Sequence, residues 1–133
     1  MANKSILKAQ SIILPIGTVA GLRSFPFDLP SDYGRVAGFF VQRNLPLAAG
    51  DYLKITVKDA NGVNVVDPVN IKVLNGGSEQ GNASLLKIED KMYRKTPFKA
   101  AGTKMIVQIE NFSTTAAIQD LDFVYECDNE PLL

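Results

Sequence analysis

The 133-residue chain contains no histidine, no tryptophan and a single cysteine, Cys127. Without histidine the commonest general acid/base and the commonest metal ligand are missing together. One cysteine excludes an internal disulfide and leaves no thiolate set for structural zinc, so the fold must be held by its core. No stretch approaches the ~18 apolar residues of a spanning helix, so no membrane span is expected. No signal-peptide run follows the polar start either, so synthesis in a cytoplasm without export is expected. Net charge is zero, 14 bases against 14 acids, which is not the balance of a dedicated nucleic-acid binder.

Apolar residues make up 46% of the chain. A domain of this length hides roughly two-thirds of the surface its unfolded chain exposes, so one unstapled core is feasible. No Gly/Ser linker divides the chain. We expect one domain, 1–133, with a short polar arm at 1–5 and a tail at 128–133.

One pattern occurs twice. Pro46-Leu-Ala-Ala-Gly-Asp-Tyr-Leu-Lys-Ile-Thr-Val-Lys-Asp59 and Pro97-Phe-Lys-Ala-Ala-Gly-Thr-Lys-Met-Ile-Val-Gln-Ile-Glu-Asn111 each run from Pro through Ala-Ala-Gly into an alternating strand. Leu53, Ile55 and Val57 stand where Met105, Val107 and Ile109 stand. Period-two alternation buries one face and wets the other. Further strands are expected over 4–14, ending at Pro15, and over 22–29, where Pro26 implies an edge or bulge. Residues 36–42 are continuously apolar, as suits a strand covered on both faces. Asn61-Gly62 predicts a two-residue hairpin turn. Asp67-Pro68 is expected to break the returning strand before another at 69–74. A loop is expected at 75–82 and short strands at 85–89 and 92–95. Strands over 105–112 and 120–126 complete the set, and in the last Leu121, Phe123, Tyr125 and Cys127 share a face. A helical turn would fit 30–34 or 114–119. Such spacing predicts an all-β fold, an antiparallel β-sandwich of about eight strands, jelly-roll-like, with two Greek keys accounting for the duplicated leader.

Candidate sites each have a plainer explanation beside them. Asp59, Asn61, Asn64 and Asp67 offer oxygen ligands for Ca²⁺, yet a hairpin turn accounts for Asp59, Asn61 and Gly62. Gly76, Gly77 and Gly81 lack the Lys-Ser/Thr and helix of a phosphate loop. Cys127 has no histidine to activate it and reads as a buried small apolar residue. Asp120 and Asp122 share one strand face rather than flanking a cleft, unlike a glycosidase pair. No catalytic, metal or cofactor residues are assigned, and no enzyme is expected.

Charge is unevenly spread. Residues 1–104 hold all 14 bases and eight acids, a net of +6; residues 105–133 hold six acids and no base, a net of −6. Either these acids pair with basic neighbours inside one sandwich, or the contrast joins subunits. On the second reading the interface candidates are Lys91, Arg94, Lys95 and Lys99 against Asp120, Asp122 and Glu126, with Leu132 and Leu133 as a docking peg. Residues 87–104 carry a net +4 with Tyr93 and Phe98 between the charges, which leaves a nucleic-acid contact open.

The start Met-Ala-Asn-Lys-Ser, the segment Ile13-Leu-Pro-Ile-Gly-Thr18, the two Ala-Ala-Gly leaders and the final strand Leu121-Asp-Phe-Val-Tyr-Glu126 together resemble small jelly-roll or β-sandwich virion proteins of bacteriophages. That resemblance implies a non-enzymatic structural protein of the capsid, a vertex (penton) or shell-decoration component located in the virion. Its implied partners are further copies of itself, as a pentamer or trimer, and other virion proteins. The alternative is a carbohydrate-binding or adhesion module in which Tyr33, Tyr52, Tyr93 or Tyr125 stacks on a sugar.

Overall fold

The computed structural model describes residues 5–14, 21–43, 52–74, 93–94, 97–100, 102–112 and 119–131. The expected segments at 75–82 and 85–89 lie outside them, as do 114–118 of the expected turn at 114–119, whose Gln119 begins a strand, and Met92 and Lys95 of the expected strand at 92–95, whose Tyr93 forms an isolated bridge to Phe39. Among the described residues eight strands appear in chain order: β1 (Ser5–Leu14), β2 (Gly21–Asp28), β3 (Arg35–Arg43), β4 (Leu53–Lys58), β5 (Asn64–Asn70), β6 (Phe98–Lys99), β7 (Lys104–Asn111) and β8 (Gln119–Asp128). They form two four-stranded antiparallel sheets with orders β1-β8-β3-β6 and β2-β7-β4-β5. The chain is therefore a β-sandwich. Among the described strands, β4 and β5 are the one consecutive pair that stays within one sheet.

Alternation built these strands as the side chains demand. On β7, Met105, Val107 and Ile109 point into the core while Ile106, Gln108 and Glu110 are half-buried. On β4, Leu53, Ile55 and Val57 do the same. The two copies of the repeated pattern lie side by side: Ile55 stands opposite Ile109 and Val57 opposite Val107. From β8, Leu121, Phe123, Tyr125 and Cys127 enter the core.

The continuous apolar run at 36–42 has two causes. The register with β8 slips between Val36 and Gly38, leaving Ala37 as an extra residue. That bulge reverses the phase, so Val36 before it and Phe39 and Val41 after it all face inward. The outer face is covered as well, since Phe40 is buried opposite a buried Val124.

Three expectations are corrected. The strand expected to break at Asp67-Pro68 continues through it. Three residues on β4, Ile55 to Val57, oppose four on β5, Val66 to Val69, so the proline sits in a bulge on an edge strand. Residues 71–74 form a 3-10 turn rather than a strand, with Ile71 and Leu74 buried. The hairpin is not a two-residue one. Gly62 N–H donates to the Asp59 carbonyl (3.1 Å) and Asp59 N–H to the Val63 carbonyl (3.0 Å), a three-residue loop closed by Gly62 at φ 79°. Asp59 selects it, because its Oδ1 accepts from the N–H groups of both Asn61 and Val63. Pro26, by contrast, lies on an edge strand as its chemistry requires.

The core centres on aromatic rings. Phe39 stacks on Phe123 at 5.4 Å and meets Tyr93 at 5.4 Å and Phe98 at 6.5 Å. Phe27, from the other sheet, reaches Phe123 at 6.3 Å, so the cluster ties both sheets together. Phe39→Ala should cost about 3–5 kcal/mol, the usual range for deleting a buried ring. Val63→Ala, at a 60% exposed position, should change stability by less than about 0.5 kcal/mol. Urea denaturation of both variants measures the difference.

Candidate functional site

Beginning from the charges, register decides which acids are occupied. β8 runs antiparallel to β3, and this sets Asp128 opposite Arg35. Arg35 Nε donates to Asp128 Oδ1 (2.6 Å) and its Nη2 to Asp128 Oδ2 (3.1 Å) and Glu130 Oε2 (2.8 Å). Such a fork matches a carboxylate at two points. Arg94 Nη1 donates to Glu126 Oε1 at 2.8 Å. Three of the six C-terminal acids thus close on two arginines of the same chain, as the intramolecular reading of the charge division requires. Arg94 and Glu126, set out above as interface candidates, engage each other instead.

The start of the tail is tied down too. Gly34 N–H is shared between the Asp128 carbonyl (3.0 Å) and Asn129 Oδ1 (2.8 Å), and Asn129 Nδ2 donates to the Asp32 carbonyl (3.3 Å). β8 itself extends through Asp128, so the tail begins one residue later than expected. Glu130 N–H donates to Asp128 Oδ1 at 3.2 Å. A latch thus joins the last strand to the β2–β3 turn and the start of β3.

The other interface candidates scatter. Asp120 and Asp122 are half-buried on the outer face of β8, opposite Ile13 and Ser11 of β1. Lys99 is exposed on β6 and, with Asp59, Ala60, Asn61 and Thr103, lines a shallow concavity beside the β4–β5 hairpin. Lys91, Lys95, Leu132 and Leu133 lie outside the described residues.

The aromatic candidates divide sharply. Tyr125 is fully buried and cannot stack on a sugar. Burial pushes its phenol pKa up, and the hydroxyl finds no hydrogen-bond partner. Tyr93 packs on Phe39 and pairs with its backbone, and Tyr33 packs against the core. Phe98 is buried and Tyr93 is half-buried against Phe39, so neither aromatic of the basic segment is a fully exposed platform for a base. Tyr52 differs. It is 41% exposed and meets the 47% exposed Phe112 edge-to-face at 5.6 Å, with Lys54 Nζ 5.5 Å above the Phe112 ring. Composition did not single out Phe112; the hydrogen bond from its N–H to the Tyr52 carbonyl (2.8 Å) brings the two together from strands far apart in sequence.

The remaining candidates resolve into structure. The oxygens proposed for Ca²⁺ hold the hairpin, Asp59 as described and Asp67 through Asn64 Nδ2 at 2.9 Å. Among the described residues no three His, Cys, Asp or Glu side chains gather as a metal site. Gly76, Gly77 and Gly81 lie outside those residues. Cys127 is fully buried, and burial pushes its thiol pKa up to about 11, which makes it a poor nucleophile. Among the described residues no helix is long and apolar enough to cross a membrane.

No family model, no curated protein and no solved structure matches this chain.

Partial burial works to raise the Asp128 pKa. The Arg35 hydrogen bonds, the Glu130 N–H and the Arg35 and Arg94 charges outweigh it and hold the carboxyl below its ordinary value. A carboxyl lowered in the folded state stabilises fully above its unfolded pKa of about 3.9 and loses that contribution as pH falls through the folded value. Asp128→Asn should therefore lower stability at pH 7 by about 1–3 kcal/mol. It should also flatten the loss of stability between pH 4 and pH 2, read from thermal melts across that range.

Proposed function

We propose that this chain is a non-enzymatic structural protein of a bacteriophage capsid, of the vertex or shell-decoration type, which assembles as a symmetric homo-oligomer. One observation carries the reading. Strand 1 pairs with 8, 2 with 7, 3 with 6 and 4 with 5. Rolling a four-paired ribbon onto itself produces this nesting, which supports a jelly roll, an architecture widespread in viral shells. The polar groups best suited to chemistry are engaged in holding the fold: Asp59 in a turn, Asp128 in the latch, Cys127 in the core. A shell component needs a rigid body and contact surfaces rather than a reactive pocket.

Because Glu126, Asp128 and Glu130 are taken up within the chain, contacts between copies are assigned to apolar and backbone surfaces more than to the +6/−6 contrast. Native mass spectrometry of the purified protein tests self-assembly. A closed oligomer that persists at raised salt is expected, since screening weakens exposed ion pairs far more than apolar contacts. A strict monomer at high concentration contradicts the reading.

The exposed Tyr52–Phe112 pair with Lys54 favours a second reading, a carbohydrate-binding module. Aromatic ledges of this kind give a sugar's apolar face a platform. A glycan array separates the two: binding abolished by Tyr52→Ala supports the module, and no binding removes it.

A further inference from the structure

The four outermost strands of the two sheets differ in how they meet solvent. β2 carries Pro26, β5 carries Pro68 and two register shifts, and β6 is two residues long. Each is a recognised way of making an edge unfit for further pairing. β1 carries none of them. It is ten residues long, contains neither proline nor glycine, pairs with β8 in unbroken register and has no neighbour on its other side among the described strands. Over Ser5–Ile13 it bears one charge, Lys8. At about 3.3 Å per residue it offers roughly 30 Å of backbone donors and acceptors to another strand.

Its side chains point to the occupant. Ile12 lies in the core and Ile6 packs against it. Odd positions face out, and among them Leu7 is 45% and Ile13 53% exposed. These two lie equidistant from Gln10, on one face. We propose that β1 pairs antiparallel with β1 of a second copy about a twofold axis through Gln10, joining two sheets into one. Leu7 of each copy then stands opposite Ile13 of the other, Ala9 opposite Ser11, and Gln10 opposite itself. Two exposed apolar side chains per copy are covered. Lys8 faces Ile12, so no like charges meet. The overlap takes in residues 6–14, nearly the whole strand. A twofold contact is isologous, the same surface on both copies. It deepens the self-assembly reading above by naming one contact between copies.

Light scattering of wild type and two variants tests it. Both substituted positions are exposed, so folding should be unaffected, as thermal melts will report. Leu7→Lys with Ile13→Lys sets lysine opposite lysine twice and should weaken self-association roughly tenfold or more. Leu7→Lys with Ile13→Glu sets opposite charges together in this register and should retain it. Gln10→Cys should oxidise to a linked dimer, because directly opposed Cα atoms lie about 4.5–5.5 Å apart, within disulfide reach. Ser11→Cys should not, and buried Cys127 should give no background. An oligomer indifferent to the lysine pair, or linking through Ser11→Cys in preference to Gln10→Cys, overturns the β1 contact while leaving self-assembly intact. A monomeric wild type overturns both.

Discussion

Burial of one row of β8 side chains is the constraint around which the other strands are arranged. Leu121, Phe123, Tyr125 and Cys127 are each no more than 1% exposed. β8 lies between β1 and β3, so its backbone groups are satisfied from both sides. Phe123 then joins Phe39 in its own sheet to Phe27 in the other. The strand that completes the core is thus the last of the described strands, and its far end is secured by Arg35, Gly34 and Asp32. Contacts between residues more than 90 positions apart close the sandwich. Such a topology withholds its reward until distant segments meet, which slows folding relative to locally connected folds.

Much of this was legible in the sequence, for a physical reason. A half-buried antiparallel strand must alternate; β7 does so without interruption, and β4 and β8 keep their core rows although Thr56 and Val124 are buried on the opposite face. Pro26 was legible as an edge residue because it lacks a donor. What could not be read is where alternation slips. Ala37 adds one residue to β3 and reverses its phase, so the sequence shows an unbroken apolar run in place of a period. Asp67-Pro68 looks like a terminator because a bulge on an edge tolerates what a central strand would not. At the hairpin the position was legible but the turn type was not, since the Asp59 carboxylate, not the Asn-Gly pair alone, selects the three-residue loop.

The functional surface was less legible for a related reason. Charges were sorted by their place along the chain, whereas their partners are set by strand register. Arg35 and Asp128 are 93 residues apart and form a two-point bond; Arg94 and Glu126 are 32 apart and do the same work at one point. Two of the interface candidates, Arg94 and Glu126, thus fasten the chain to itself. Phe112 escaped notice because an aromatic at a strand end has no period to belong to, and its partnership with Tyr52 depends on β4 and β7 being neighbours. The candidate contact surfaces that emerge are an open strand edge and an aromatic ledge. Neither announces itself through composition.

Amide hydrogen exchange followed by mass spectrometry tests most directly whether β8 is the strand that completes the core. Peptides spanning residues 119–128 should exchange as slowly as those of β3 and β7, through global unfolding alone. Rapid exchange of 119–128 while β3, β4 and β7 remain protected would contradict the account.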